Sequence, residues 1–447
     1  MIITSNTTIS KENVQKWIEE FKKDYQPQLI ELGQYYDGTN PVKKEGVVAD
    51  RSHYSLNVNL ASYITDVQTS YFMGIPPTYE FEEKSAIESK KDTIFEILSR
   101  NDEQSHNFDI ANDSSCYGVA YELLMLLKDT NKNAVERISL SRLNPEQTFI
   151  VYNDEMPQKQ VCAICFINST DEKIKVYVYT DKEIIEFSGK TLKELSLGDI
   201  TQHNFGNIPV VAYNNNTDLV GDYAKVKDLL NTISVSVSGN ADDLQSVANS
   251  FLAIFGAGGT DEKDVELINS TRVANLPTGT DMKFVVKDVP VEAIKYQIEQ
   301  ALDFVYQISK TPDLTDEAFG GNQSGVAMQF KLWGIEQNRM AKERAFKKSL
   351  LTRLSMIVNT INLAENSQYE VKDQTKITFY KNLPQNDEAT YSMVEKLSGV
   401  VSLKTLLEQI PFIDDVEEEY KQVQEEKKES FNMFDIQPND KTTENEE

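Results

Sequence analysis

The chain has 447 residues, of which 45 are Lys or Arg and 71 are Asp or Glu, so its formal net charge is −26. A surface this negative repels phosphate, which excludes the usual tight binding of duplex DNA through a broad basic face. A hydrophobic fraction of 40% is ordinary for a folded protein, and the length predicts about three structural units.

Cysteine and histidine are scarce, with three of each in the chain. The first residues, Met1 to Asn6, turn polar at once and carry no positive flank, so no signal peptide is expected. The longest apolar runs, such as Leu123 to Leu127, fall far short of the roughly 20 residues that a membrane-spanning helix needs. These features predict a protein made in a reducing cytoplasm, or in a particle assembled there, with no membrane partner.

The first half of the chain reads as α+β. Apolar residues at steps of three and four predict a helix from Ser10 to Tyr36, bent at Pro27 and ended at Gly38. Further helical patterns cover 58–72, 85–100 and the residues leading to 116. The period then changes to two, which predicts one antiparallel meander with strands at 119–127, 134–140, 148–152, 160–167, 173–180 and 183–188.

The second half is dominated by long helices. Helical spacing continues from Val226 to Phe255, over roughly 50 Å. A compact insert at 256–289, with short strand-like runs near 273 and at 282–286, separates this helix from one that Pro290 opens. After a polar loop, a third helix runs from about 324 to 364, over roughly 60 Å. Helices this long are awkward to bury in one compact monomer, so the sequence predicts an oligomer.

The C-terminal part is short and acidic. A strand is predicted at 376–380, followed by helices at 387–398, 403–410 and 414–429. Residues 411–447 hold 13 acidic and 4 basic side chains. Because residues 437–447 offer almost nothing to bury, this tail is predicted to be disordered.

No catalytic constellation is visible in the sequence. Gly189-Lys190-Thr191 ends like a phosphate-binding loop, but Ile184 stands where the first glycine belongs, so a turn between strands is the better interpretation. Cys162 and Cys165 lie within one predicted strand, where positions three apart point to opposite faces. They are therefore predicted to be buried thiols, and no catalytic residue, cofactor or metal is expected.

One charge feature stands out. Residues 326–353 carry seven basic side chains against two acidic ones, a net +5 within a chain of −26. One interpretation is a solvated face, or partners for acidic neighbours within the fold. The other is a ring of basic side chains presented to phosphates or to the acidic C-terminal helices. The seven are Lys331, Arg339, Lys342, Arg344, Lys347, Lys348 and Arg353.

Three motifs, in this order and spacing, carry a family resemblance. They are Tyr35-Tyr36-Asp37-Gly38, the stretch from Asn57-Val58-Asn59-Leu60 to Gly74-Ile75-Pro76, and the stretch from Pro312-Asp313-Leu314 to Gly325-Val326-Ala327. Over nearly its whole length the chain resembles the portal, or head–tail connector, proteins of tailed phages. The type is that of long-tailed phages of Gram-positive bacteria.

The resemblance implies a portal-type fold, α+β and mainly helical, in a ring oligomer. A wing of helices and antiparallel sheet, a helical stem, a small α/β clip and a helical crown are its parts. The implied wing covers residues 1–221 and 310–385, and its second part contains the tunnel loop at 310–323 and the long helix at 324–364. The implied stem covers 222–255 and 290–309, and the clip lies between them at 256–289. The crown covers 386–436, and 437–447 form a disordered acidic tail.

The resemblance also implies a function without catalysis. Such proteins form closed rings, dodecameric in the virion, at one capsid vertex, and double-stranded DNA passes through them during packaging and ejection. Expected partners are the terminase packaging motor, the head–tail adaptor, capsid and scaffolding proteins, and DNA bound weakly and without sequence specificity. The candidate channel residues are Asn322, Gln323, Ser324 and Lys331.

Two other functions remain open from the residues alone. The chain is alternatively another oligomeric head component, such as an adaptor or a scaffolding protein, although a scaffold does not need a hairpin insert between two long helices. An enzyme, such as a nuclease or the motor ATPase, requires a complete phosphate loop or clustered carboxylates and histidines.

Overall fold

The fold is given by a computed structural model that forms two compact units, Met1–Asn382 and Leu383–Glu447. The residues that it describes are 2–42, 54–83, 85–127, 135–168, 173–248, 251–255, 281–285, 290–314, 330–381, 394–407, 410, 413, 416 and 419–426. The candidate residues Asn322, Gln323 and Ser324, the insert between 256 and 280, and the tail 437–447 lie outside the described residues.

The N-terminal helical pattern forms two helices, α1 (Lys11–Asp24) and α2 (Gln26–Asp37). Ser10 caps α1 by accepting a hydrogen bond from the backbone N–H of Asn13 at 3.3 Å. The break falls at Tyr25 rather than at Pro27, because Pro27 occupies the first turn of α2, where its missing N–H costs nothing. Gly38 ends α2 with φ 69°, as the sequence predicted.

Three more helices complete the first helical region. They are α3 (Leu60–Met73), α4 (Lys91–Arg100) and α5 (Glu103–Tyr117). The predicted stop at Gly74 is confirmed, since its backbone N–H closes the last turn of α3 on the carbonyl of Ser70. A short 3₁₀ turn, Ile87–Lys90, precedes α4 and accounts for the earlier start that the sequence predicted.

The strands follow in chain order. They are β1 (Ile2–Thr4), β2 (Thr78–Phe81), β3 (Val119–Leu126), β4 (Ile138–Leu143), β5 (Thr148–Asn153), β6 (Gln160–Asn168), β7 (Ile174–Tyr179), β8 (Glu183–Gly189), β9 (Ser196–Gln202), β10 (Val210–Asn214), β11 (Phe251–Phe255), β12 (Asp281–Val285) and β13 (Thr375–Thr378). Of these, β3, β5, β6, β7, β8, β12 and β13 have bounds close to those predicted. The predicted strand 134–140 begins later, as β4, while β1, β2, β9 and β10 were not predicted.

The single meander was a wrong prediction. A six-stranded sheet has the order β1-β5-β6-β7-β8-β9, whereas β3 and β4 belong to a second sheet of order β10-β3-β4. The residues from Ala120 to Leu124 are all buried, so β3 needs neighbours on both edges and both faces, and β10 supplies the second edge. The sequence pattern did not reveal β10 as a strand.

The second half contains α6 (Lys227–Ala248), α7 (Val291–Ser309) and α8 (Trp333–Glu365). The prediction that the first of these continues to Phe255 was wrong, because residues 251–255 form β11, which pairs antiparallel with β12. A run of five apolar residues fits either a helix or a strand by its periodicity, and here cross-strand pairing decides. The predicted strand near 282–286 is confirmed.

Four apolar cores are found among the described residues of the first unit. One lies between α1 and the six-stranded sheet, one joins α2 and α3 to α6 and α7, and one places α8 against α4, α5 and the second sheet. The fourth lies between the two sheets. Cys162 faces the first core, and Cys165 faces the opposite side of the same sheet, as predicted. Burial raises the pKa of the Cys162 thiol to about 12, so both residues behave as apolar fillers.

The second unit is described in short pieces. It contains helix α9 (Leu403–Leu407), with Leu406 and Leu407 buried, and helical residues at 394–397 and 419–426. These positions agree with the three helices predicted there. Among the described residues of the whole chain, no helix combines the length and apolarity that crossing a membrane requires.

Candidate functional site

The segment that leaves α7, residues 310–314, leads into the predicted tunnel loop, and we call it the loop base. Lys310 ends α7 in the left-handed conformation, with φ 56°, and residues 310–314 then lie against α3 and the first turns of α8. A Cβ placed on Gly334 would lie 3.2 Å from the Cβ of Lys310, so a larger residue would press against the base. The described chain resumes at 330, and Lys331 is exposed there.

Tyr63 on α3 binds this segment twice. Its hydroxyl donates to the carbonyl oxygen of Pro312 at 2.9 Å and accepts from the backbone N–H of Leu314 at 2.9 Å. The ring stacks edge-on against Tyr306 of α7, with centroids 6.2 Å apart. One side chain therefore fixes two alternate backbone groups of the loop base.

Two amides complete the base from opposite sides. Gln68 of α3 donates to the carbonyl of Ser309 at 3.3 Å and to the hydroxyl of Thr311 at 3.0 Å. Asn338 of α8 donates to the same Ser309 carbonyl at 3.2 Å. The Ser309 carbonyl at the end of α7 thus receives donors from both α3 and α8, so the loop base lies at a junction of three helices.

Replacing Tyr63 with phenylalanine is expected to loosen this base locally. Loss of the bond from the Leu314 amide, worth about 0.5–1.5 kcal/mol, should speed hydrogen exchange at that amide by about 2–13-fold. Tyr306→Phe is the matched control, because the hydroxyl of Tyr306 makes no hydrogen bond among the described residues while its ring pairs with Tyr63 in the same way. Equal exchange rates at Leu314 in both variants would contradict this role of Tyr63.

A second contact fixes α6 along an extended segment of the chain. The backbone N–H groups of Tyr54, Leu56 and Val58 donate to the side chains of Asp242, Ser238 and Ser234 at 2.7, 2.9 and 3.2 Å. The donors alternate along an extended chain and the acceptors recur every fourth residue of the helix. The segment therefore receives from α6 the backbone partners that a sheet would otherwise provide.

Asp222 joins α6, α5 and α8 just before α6 begins. Its carboxylate accepts from the Ser115 hydroxyl, the Lys342 ammonium group and, at 2.8 Å, the side-chain amide of Asn215. The Lys342 and Asp222 side chains are 3% and 5% exposed. A buried ion pair of this kind fixes position, because losing either partner leaves an uncompensated buried charge.

A larger ion network lies deeper in the core around Arg353. The guanidinium donates to Glu103, to the Tyr79 hydroxyl at 2.9 Å and to Glu122 Oε1 at 3.1 Å, and it is fully buried. Glu122 also lies 2.8 Å from His106 Nε2. Burial alone would raise the pKa of Glu122. The charge of Arg353 and the hydrogen bonds from His106 and Tyr213 outweigh burial and lower that pKa to about 2.

The seven basic side chains of residues 326–353 therefore divide into two groups. Arg339 pairs with Glu336 at 3.0 Å and Glu343 at 2.9 Å, while Lys342 and Arg353 are buried as described above. For these three, the interpretation as partners of acidic neighbours is confirmed. The other four, Lys331, Arg344, Lys347 and Lys348, are exposed.

The groups that build the loop base were not recognised from the sequence. Tyr63 and Gln68 lie within one of the three family motifs, yet their partners are more than 240 residues away. No spacing rule reaches that far. Among the described residues, no group of three or more His, Cys, Asp or Glu side chains is placed to hold a metal ion.

Comparisons with known proteins match nearly the whole chain. The family described as "Phage portal protein, SPP1 Gp6-like" matches residues 15–432. A portal protein of Clostridium phage phiCD119 is 23% identical over 430 residues, which cover 90% of this chain and 93% of that protein. The portal protein of Bacillus phage SPP1 is 20% identical over 381 residues, covering 81% of this chain and 74% of that protein.

One solved structure gives a weaker likeness. It is titled "Virion of native gene transfer agent (GTA) particle", and the likeness covers 86% of this chain and 94% of that one. The sequence identity is 11% and the TM-score is 0.49.

Proposed function

The chain belongs to the SPP1 Gp6-like family of phage portal proteins, and we propose that it forms a ring at one vertex of the capsid. Its function is that of a phage portal, a structural component of the virion. In the proposed ring, double-stranded DNA passes through the central channel during packaging and ejection. The family match over residues 15–432 is the observation that carries this proposal.

The proposed domains follow the architecture given above, with one change. Residues 1–221 and 310–385 form the wing, and 386–436 form the crown. Because β11 pairs with β12, residues 251–255 join the clip, so the clip spans 251–289 and the stem spans 222–250 and 290–309. The helix–hairpin–helix order of α6, β11, β12 and α7 supports this division.

The loop base at 310–314 supports a role for the loop that follows it. A loop that meets moving DNA needs fixed ends, and Tyr63, Gln68 and Asn338 provide one of them. We place Asn322, Gln323 and Ser324 at the channel constriction, with Lys331 beside it. The net charge of −26 fits a conduit, because each additional phosphate contact would add salt-dependent affinity and hinder sliding.

The proposed partners are those of a portal ring. They are further copies of the chain in a dodecamer, the terminase packaging motor, the head–tail adaptor, and the capsid and scaffolding proteins, with assembly in the host cytoplasm. No observation favours the alternative of an adaptor, a scaffold or an enzyme over the portal.

Electron microscopy of the purified full-length chain tests the proposal directly. Perforated rings with twelvefold class averages are expected in negative stain. A chain that stays monomeric at high concentration, with no perforated rings, would contradict the proposed assembly.

A further inference from the structure

The exposed basic residues of α8 form one unpartnered face. Arg344, Lys347 and Lys348 follow the i, i+3, i+4 spacing that places side chains together on a helix, and all three are exposed. Within the described part of the chain, no carboxylate forms an ion pair with any of them, in contrast to Arg339, Lys342 and Arg353. Three positive charges are therefore presented outward from a strongly acidic protein.

This basic face points away from α5. Arg353 reaches α5 directly, donating to Asn107 Oδ1 at 2.9 Å. At 3.6 residues per turn, Arg344, Lys347 and Lys348 lie roughly 120–180° around α8 from Arg353. They are therefore on the opposite side of α8 from the one that contacts α5.

The far side of α5 carries the opposite charge. Asp109 and Asp113 lie roughly 120–160° around α5 from Asn107, so they face away from α8. They line a cavity of about 420 Å³ together with Asp37, Asp66 and Arg142. Four carboxylates against one guanidinium leave three negative charges at this acidic pocket.

Among the described residues, Arg142 alone brings positive charge to the lining of the acidic pocket. Its guanidinium lies 3.4 Å from the Asp113 carboxylate and 3.9 Å from the Asp109 carboxylate. Burial raises the pKa of Asp113 to about 6; Arg142 offsets this only in part, and Asp109 raises it further. An additional cation would favour the ionised form of Asp113.

We propose that the basic face of α8 docks at the acidic pocket of a second copy of this chain, forming the contact between neighbours in the ring. The inference rests on the ring proposed above and names the surfaces that join its subunits. The basic face of α8 carries three positive charges, the acidic pocket carries three negative charges, and the two face away from each other. When copies are placed head to tail, the basic face of one copy meets the acidic pocket of the next. A head-to-tail interface is the kind that closes into a ring.

A pair of charge-reversed variants tests the interface. The helix variant carries Arg344→Glu, Lys347→Glu and Lys348→Glu, and the pocket variant carries Asp37→Lys, Asp66→Lys and Asp109→Lys. Each alone brings like charges together, so we expect its apparent association constant to fall by more than about tenfold. An equimolar mixture restores opposite charges at every contact, so large assemblies should return. Light scattering after gel filtration, with negative-stain microscopy, measures both.

The control variant carries Lys182→Glu, Lys190→Glu and Lys193→Glu. It makes the same change in net charge as the helix variant, but at three exposed positions of the six-stranded sheet region. It should assemble as the unmodified chain does. Recovery in the mixture also shows that both variants fold, because unfolded chains would not complement each other.

The outcomes separate this interface from the ring itself. If the helix variant alone forms rings as readily as the control variant, the interface is overturned while the ring stands. The interface is also overturned if the helix variant forms normal rings but binds duplex DNA more weakly, because the basic face would then contact phosphate. An unmodified chain that forms no rings at all would overturn both proposals.

Discussion

Replacing Arg353 with methionine is expected to lower the free energy of unfolding by about 3–5 kcal/mol. The change leaves the carboxylates of Glu103 and Glu122 buried without their cation, and the exposure of the Glu122 side chain is 0%. It also removes the donor that ties α8 to Asn107 and Tyr79. Urea unfolding followed by circular dichroism, at one fixed protein concentration, measures the loss.

Arg100→Met is the control for this experiment. Arg100 is partly exposed and donates to the carbonyl of Val135 at 3.1 Å, so its loss should cost no more than about 1 kcal/mol. Similar losses in the two variants would mean that the Arg353 network contributes little beyond its hydrophobic contacts.

The pH dependence of stability gives a second readout for Arg353. The pKa of Glu122 is about 2 in the folded chain, below its ordinary value, so its contribution is present above pH ~4.5 and is lost as pH falls towards 2. The groups that face it are Arg353, His106 and Tyr213, with Glu103 nearby across Arg353. Without Arg353 the pKa of Glu122 should rise, and the acid-side decline in stability should flatten.

Replacing Gly118 with alanine is the second change with a large expected effect, a loss of about 2–4 kcal/mol. Gly118 joins α5 to β3 with φ 86°, a conformation that side chains disfavour. An added Cβ would lie 2.2 Å from the carbonyl oxygen of Leu219, so the backbone leading to α6 would have to move. Thermal unfolding and proteolysis near 219 should both detect the change.

Gly239→Ala is the matched control within α6. A Cβ at this position meets nothing within 4 Å, and the residue lies inside the helix. Alanine is better than glycine in a helix interior, so this variant should be more stable by about 0.5–1 kcal/mol. Opposite signs for the two Gly→Ala changes are the expected result, and equal destabilisation would refute the steric explanation at Gly118.

The sequence predicted helices and strands well, but it predicted poorly which strands pair with each other. Element type and order were right where periodicity extends over many residues, as in α1, α3, α7 and β7. The errors lie where a short run fits two structures or where a distant partner decides. The apolar run 251–255 became a strand because β12 pairs with it, and β3 left the predicted meander because β10, about 90 residues later, lies beside it.

The candidate site shows the same limit. Charge counting found the basic helix, but the count treats Arg353 and Lys348 alike, although one is fully buried and the other is exposed. What separates them is the position of Glu103 and Glu122 on α5 and β3, more than 230 residues earlier. Composition and spacing do not show that Arg353 contacts these two glutamates in the folded chain. The tertiary structure was therefore needed to divide the basic residues into buried and exposed groups.

The contact between residues 54–58 and α6 also determines how that helix can move along its axis. Two residues of extended chain cover about 6.6 Å and four residues of helix cover about 6 Å, so the acceptors on Ser234, Ser238 and Asp242 match alternate amides. A slide by one or two residues would leave all three amides without an acceptor. A step of four residues in one direction would bring Leu230, which has no side-chain acceptor, opposite Val58. The contact therefore fixes the position of α6 along its own axis against residues 54–58.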